Sequence, residues 1–155
     1  GKLVWKSDGK TLNGTNTEVA DNTDPDLGDT RYWGPKFNRA IQKQLGTTVD
    51  GVISGQRLVN KTYFWATDGG VERAKTGKGV GSDMMLALQK KVGCKIYPEF
   101  CGVQARQVNS GTIVQHQRWL MNHGISVGSS GADGYHGPDT NRAVVQAIKR
   151  NLYLA

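Results

Sequence analysis

The chain has 155 residues, with 20 Lys and Arg against 13 Asp and Glu, a net charge of +7, 37% hydrophobic residues and 21 glycines. A chain of this length buries one or two small cores, and so many glycines describe short elements joined by turns, which excludes one large enzyme core. No apolar run reaches the roughly 18 residues of a membrane-spanning helix, and the positive charge suits an anionic partner such as nucleic acid, anionic lipid or a phosphate-rich polymer.

The chain opens on Gly1 without a charged-then-apolar leader, as expected of a fragment or a processed piece. Leu3-Val4-Trp5-Lys6-Ser7-Asp8-Gly9 reads as an aromatic extended stretch entering a turn. From Gly9 to Asp29 the sequence is polar and acidic, and its Asn, Asp, Gly and Thr, with Pro25, leave no apolar periodicity to bury. Residues 1–28 are therefore expected to be an N-terminal aromatic segment and a surface loop or linker.

Residues 29–78 form the first expected unit. Gly34-Pro35 places proline at a helix start. Phe37, Ile41 and Leu45, with Ala40 beside them, make one apolar stripe, while Lys36, Arg39, Lys43 and Gln44 take the other faces. Gly46 supplies a left-handed cap. An Asp50-Gly51 turn follows, then a second helical run from Gln56 to about Lys61. Tyr63-Phe64-Trp65-Ala66-Thr67-Asp68-Gly69 echoes the extended stretch around Trp5.

Residues 79–155 carry the second and third copies. Gly81 to Gly93 aligns without gaps on Gly34 to Gly46, and Cys94 to Gly102 aligns on Thr47 to Gly55, with Tyr97-Pro98 in place of Asp50-Gly51. A short helical run is expected from Val103 to about Val108, and a longer helix over Ile113 to Gly124. After the Gly/Ser loop Ser126 to Gly131 and the Asp133-Gly134 turn, Gly137-Pro138-Asp139-Thr140-Asn141-Arg142-Ala143 repeats the helix start. That helix runs to about Asn151 and buries Ala143, Val144, Ala147 and Ile148. Internal repetition at this period points away from a single catalytic pocket and towards a repeated binding surface.

Few residues suit catalysis. Cys94 and Cys101 flank one turn at a spacing that permits a disulfide. Thr47 and Ser54 hold the equivalent positions in the first copy, which need only small residues, so a reduced or optional pair is expected. A nucleophilic thiol wants a helix N-terminus or a basic partner, and Cys94 follows a helix C-terminus. His116, His123 and His136 lack the accompanying ligands of a zinc site, so no metal or other cofactor is expected. Asp50 and Asp133 sit in Asp-Gly turns, where a carboxylate accepts from backbone N–H groups, and no catalytic residue is assigned.

The order helix, Gly, loop, Asp-Gly, aromatic, Gly-Pro, Thr, Ala-Val resembles the peptidoglycan-binding domain of bacterial and phage cell-wall hydrolases. Residues 112–150 carry it through Val114-Gln115, Leu120, Gly124, Asp133-Gly134, Gly137-Pro138, Thr140 and Ala143-Val144. Residues 29–60 look like a diverged copy, through Tyr32-Trp33-Gly34-Pro35 and Val49-Asp50-Gly51. The whole arrangement is similar to the C-terminal wall-binding region of endolysins from phages of Gram-positive bacteria, lactobacilli in particular.

This resemblance implies a mainly α fold of repeated small three-helix units with short extended segments. It implies a non-catalytic region that binds peptidoglycan, with or without anionic wall polymers, outside the cell at the bacterial wall. The region would anchor a covalently linked, phage-encoded hydrolase released at lysis. Sugars stack their C–H faces on aromatic rings while amides and guanidinium groups take their polar substituents. The candidates are Tyr32, Trp33, Trp65, Trp119, Tyr135 and His136, with Gln42, Arg118, Asn122 and Arg142 as polar partners. Most large rings in small helical modules are core. Tyr135, His136 and Trp33 are the ones expected at the surface. The alternatives are a small cell-wall peptidase or amidase, and a basic helical nucleic-acid binder.

Overall fold

Both Gly-Pro pairs of the sequence begin helices. The structure, a computed structural model, describes residues 25–74, 80–94 and 106–155. In chain order these carry α1 (Pro35–Leu45), β1 (Ile53–Arg57), a 3-10 turn (Leu58–Thr62), β2 (Val71–Ala74), α2 (Asp83–Lys91), α3 (Ser110–Asn122) and α4 (Pro138–Lys149). Proline starts α1 and α4, where its φ is already set and its missing N–H costs nothing. Side chains cap the other two helices: Ser82 Oγ accepts from Met85 N at 3.0 Å, and Asn109 Oδ1 from Thr112 N at 2.9 Å. Gly46 and Gly93 follow α1 and α2 at φ 79° and 80°.

The architecture is mixed α/β: four α-helices and a two-stranded parallel sheet among the described residues. This corrects the expected mainly α fold of repeated three-helix units. The difference arises just after the Asp50-Gly51 turn, where a helix was expected over Gln56 to about Lys61. Residues 53–57 instead extend and pair in parallel with β2, Ile53 with Val71, Gln56 with Arg73 and Arg57 with Ala74. Gln56 then joins the strand to the other half of the molecule: its Nε2 donates to Arg106 O at 2.8 Å and its Oε1 accepts from Val108 N at 2.7 Å. Only a 3-10 turn remains beyond it. The helix expected over residues 103–108 is absent at 106–108, where the chain turns through Arg106 at φ 85°.

Some expectations fall on other segments. The Trp5 stretch, most of the polar loop 9–29, the Tyr97-Pro98 turn and Cys101 lie outside the described residues. Cys94, for which a reduced or optional pair was expected, is buried and disulfide-bonded.

One apolar cluster joins all four helices. Phe37, Ile41 and Leu45 of α1 enter it, as do Met84, Met85 and Leu88 of α2, Ile113 and Leu120 of α3, and Ala143, Val144, Ala147 and Ile148 of α4. Phe37 is fully enclosed, and cutting such a ring to alanine costs about 3–5 kcal/mol. No helix of the described residues is long and apolar enough to cross a membrane.

One hydrogen-bonded device does recur. Gln42, Gln89 and Gln117 are each buried on a helix, and each grips a turn further along the chain. Gln42 Oε1 accepts from Gly51 N at 2.9 Å while its Nε2 donates to Val52 O. Gln89 Oε1 accepts from Arg106 N at 2.8 Å while its Nε2 donates to Gln107 O. Gln117 Oε1 accepts from Gly134 N at 3.0 Å while its Nε2 donates to Tyr135 O. The gripped residue has positive φ each time, 77°, 85° and 83°, which glycine adopts freely and arginine does not. In the last two cases the same amide also reaches the threonine in the first turn of the next helix, Thr112 or Thr140. A buried primary amide is stable only when its donors and acceptor are all met, and here the turn backbone meets them.

Candidate functional site

Two corners of like sequence meet in the core. Trp33-Gly34-Pro35-Lys36-Phe37-Asn38 opens α1, and His136-Gly137-Pro138-Asp139-Thr140-Asn141 opens α4. In the first, Trp33 Nε1 donates to Asn38 Oδ1. In the second, His136 and Asn141 hold the same places in the sequence, and His136 Nε2 and Asn141 Oδ1 are both buried without a hydrogen-bond partner. The Trp33 and His136 rings meet edge to face at 5.3 Å, and both pack on Phe64. Trp33 and His136, expected at the surface, are 1% and 2% exposed. Each ring is enclosed by the other and by Phe64.

The segment Tyr63 to Asp68 passes between the corners. Trp33 N donates to Ala66 O at 2.9 Å, Asp68 N to Trp33 O at 2.7 Å, and His136 N to Tyr63 O at 2.7 Å. Asn141 ties this strap to the first corner, since its Nδ2 donates to both Arg31 O at 2.8 Å and Ala66 O at 3.0 Å. Phe64 and Ala66 face the core while Trp65, between them, is half exposed.

Three rings reach solvent around these corners: Tyr32 at 39%, Trp65 at 51% and Tyr135 at 48% exposed. Their backbones are fixed. Trp65 lies over Gly137, where an added Cβ would sit 3.3 Å from the indole. Tyr135 follows the turn gripped by Gln117, Asp133 Oδ1 accepts from its N–H at 3.0 Å, and its ring leans on Tyr63 at 5.6 Å. Tyr32 follows Arg31, whose guanidinium lies over the tyrosine ring and pairs with Asp29 at 2.7 Å. Among the described residues no ring contact joins these three rings to one another.

The polar candidates divide. Arg142 is exposed near the start of α4 and paired with Asp139. Gln42 is buried and fully engaged in its turn. Arg118 and Asn122 are exposed on α3. Trp119 packs on His123 at 4.6 Å and Tyr153 at 5.0 Å.

Electrostatics behind the rings are those of a neutral core. Burial pulls His116 down to about 4, and burial followed by the nearby His116 pulls His136 well below its usual value. Both imidazoles are neutral at pH 7. Burial pushes the Tyr153 phenol up, and its hydroxyl meets His116 Nε2 at 2.7 Å. On the surface, hydrogen bonds from the Arg31 side chain and backbone hold Asp29 down to about 2. Asp50 is lowered first by the Val52 N–H and then by Gln42, the turn-capping role its sequence position implied. Among the described residues no group of three or more His, Cys, Asp or Glu is placed to hold a metal ion.

No family model, curated protein or solved structure matches this chain.

The sequence reading missed Tyr63, Asn141 and the glutamines 89 and 117. The alternation Tyr63-Phe64-Trp65-Ala66 was a usable signal for the strap. Gln89 and Gln117 could have been found as polar residues on otherwise apolar helix faces.

Proposed function

We propose that this chain is a non-catalytic module that binds bacterial peptidoglycan and holds an attached cell-wall hydrolase on its polymer. The observation that carries this reading is the set of half-exposed rings, Tyr32, Trp65 and Tyr135, fixed around the start of α4. Rigid rings with two side-chain torsions offer large contact area at small entropic cost, which suits stacking on sugar C–H faces. The motif order of residues 112–150 adds support, because Gln117, Asp133, Gly134 and Thr140 make one contiguous device that presents Tyr135. In this reading the chain works outside the cell, as the anchoring part of a phage-encoded lytic enzyme, and tethering raises the local concentration of its partner domain.

Co-sedimentation of the purified chain with washed sacculi of Gram-positive cells tests the reading. The expected result is depletion from the supernatant without release of soluble wall fragments. Trp65→Ala and Tyr135→Ala should each weaken binding about tenfold, the loss of one well-seated ring. A chain that stays in solution with every wall tried, or that solubilises walls unaided, would end this proposal.

A further inference from the structure

Residues 148–155 tie together the C-terminal ends of all four helices. At the end of α1, Gln44 donates from Nε2 to Ile148 O at 2.8 Å and accepts at Oε1 from Tyr153 N at 3.1 Å. Its own carbonyl accepts from Ala155 N at 3.1 Å. At the end of α2, Lys91 Nζ donates to Leu154 O. Just past α3, His123 O accepts from Arg150 Nη1 at 3.2 Å, and Gln115 of α3 donates to Val92 O at 2.9 Å. Lys43, Lys90, Lys91, Lys149 and Arg150 each make one of these contacts or stand next in sequence to a residue that does. Arg118 precedes Trp119, whose ring packs on Tyr153. All of these cations but the half-buried Lys91 are exposed.

The carboxylates are elsewhere. Residues 41–49, 86–94, 118–125 and 140–155 contain no Asp or Glu. The ion pairs Asp26–Lys36, Asp29–Arg31, Asp83–Arg106 and Asp139–Arg142 lie at or before helix starts. Asp50, beyond the end of α1, is engaged by Gln42 and the Val52 N–H. Asp50, Glu99 and the α-carboxylate of Ala155, counted together, still leave the junction cationic. With Lys43, Lys90, Lys91, Arg118, Lys149 and Arg150 set aside, the remaining Lys and Arg are nearly matched by the 13 Asp and Glu. The excess positive charge of the chain is therefore concentrated here.

We infer that this basic junction is a second binding surface, which takes a flexible phosphodiester polymer without bases, a poly(polyol phosphate). That the polymer is the anionic one of a Gram-positive wall rests on the wall-binding reading; the surface itself does not. Lysines carry compact, mobile charges with no fixed hydrogen-bonding fork, which suits phosphates spaced along a mobile chain. Each phosphate neutralised releases condensed counterions, so the contact gains strength without a pocket. Lys91 and Arg150 also satisfy backbone carbonyls, and the last-turn lysines offset the helix dipoles. Neither role requires so many cations in one place. Nucleic acid fits less well. Single strands want rings open for base stacking, and here Tyr153 is buried while Trp119 packs on it and on His123. Reading a duplex places a helix or strand in a groove, whereas this surface is made of C-terminal helix ends.

Titration of the full chain with labelled poly(glycerol phosphate) at stepped salt tests this. The expected result is saturable binding whose log affinity falls with log salt at a slope of about −3, for about four neutralised phosphates. Lys43→Gln with Lys90→Gln should weaken binding about tenfold and roughly halve that slope. Lys36→Gln with Lys61→Gln removes the same charge outside the junction and should change affinity by less than about twofold. Urea midpoints of both double variants keep lost binding apart from lost folding. Equal losses in the two double variants, or no binding at low salt, overturn the inference. So does single-stranded DNA of equal charge binding more than about tenfold tighter than the polymer, or binding to phosphatidylglycerol vesicles that the polymer cannot displace. With sacculi, stripping the phosphate polymer by acid should abolish the effect of the lysine pair and leave that of Trp65→Ala. A chain that binds the polymer but no sacculus ends the wall-binding reading and leaves the polymer-binding surface standing.

Discussion

Acid should unfold this protein through its buried histidines before its carboxylates titrate. His116 falls from 6.5 unfolded to about 4 folded because burial penalises its charged form. Its pKa is lower in the folded state, so the unfolded chain binds more protons between those values. Its stabilisation is fully present above pH 6.5 and is lost as the pH falls towards 4. That span is worth about 3 kcal/mol for His116 alone, at about 1.4 kcal/mol per pH unit. His136 acts in the same direction. It is enclosed by Trp33 of the first corner, Phe64 of the strap, His116 of α3 and Asn141 of α4, and its lowering has no carboxylate among its causes. Asp29 and Asp50 also lose stabilising protonation states in acid, but only below their usual 3.8. Urea titrations followed by tryptophan fluorescence at stepped pH between 7 and about 4.5 would measure this. The expected unfolding free energy falls with a slope of about 1.4–2.7 kcal/mol per pH unit below the unfolded histidine pKa. Replacing His116 and Tyr153 together by phenylalanine removes both partners of the buried hydrogen bond, so the slope should drop by about one proton. A stability flat from pH 6.5 to 5, or a His116 ring proton titrating near 6.5 in the folded protein, would refute the reasoning.

Other consequences follow from the same geometry. Gln117→Leu orphans Gly134 N, Tyr135 O and Thr140 Oγ1 and should cost about 3 kcal/mol by urea unfolding, with the larger effect on the Tyr135 turn. Gly70→Ala combines φ 77° with a Cβ 2.9 Å from Pro35 N, so it should destabilise by about 2 kcal/mol or more in thermal melts. Gly137→Ala needs no backbone strain but presses on the Trp65 indole, so it should lower sacculus binding while moving the urea midpoint by less than about 1 kcal/mol. Asn38→Ala strips the partner from Trp33 Nε1 and from the Gly51 and Gly70 carbonyls, and should destabilise by about 2–3 kcal/mol in the same unfolding assay.

Helices were legible wherever local signals were complete. Gly34-Pro35 and Gly137-Pro138 fixed two starts, and the spacing of Phe37, Ile41 and Leu45 named the buried stripe of α1 correctly. The Ala143, Val144, Ala147 and Ile148 face of α4 was equally readable. The sheet was not, because β1 depends on partners far along the chain. Gln56 finds Arg106 and Val108, while Ile53 finds Val71. Of the rings expected at the surface only Tyr135 is there, while Tyr32 and Trp65, candidates by residue type alone, are also half exposed. Trp33 and His136 were misplaced outward because their burial is set by each other and by Phe64, a three-segment contact that no local window contains.

The Gln117 grip makes the segment between α3 and α4 independent of its own length. Gln42 reaches its turn across the short stretch 46–49, whereas Gln89 and Gln117 reach theirs across 92–105 and 123–132, yet each meets the same backbone N–H and carbonyl. The stretch 123–132 can therefore gain or lose residues without moving α4, whose first turn Gln117 also holds. An engineer grafting a new loop should insert it within 126–131, ahead of the corner that opens α4.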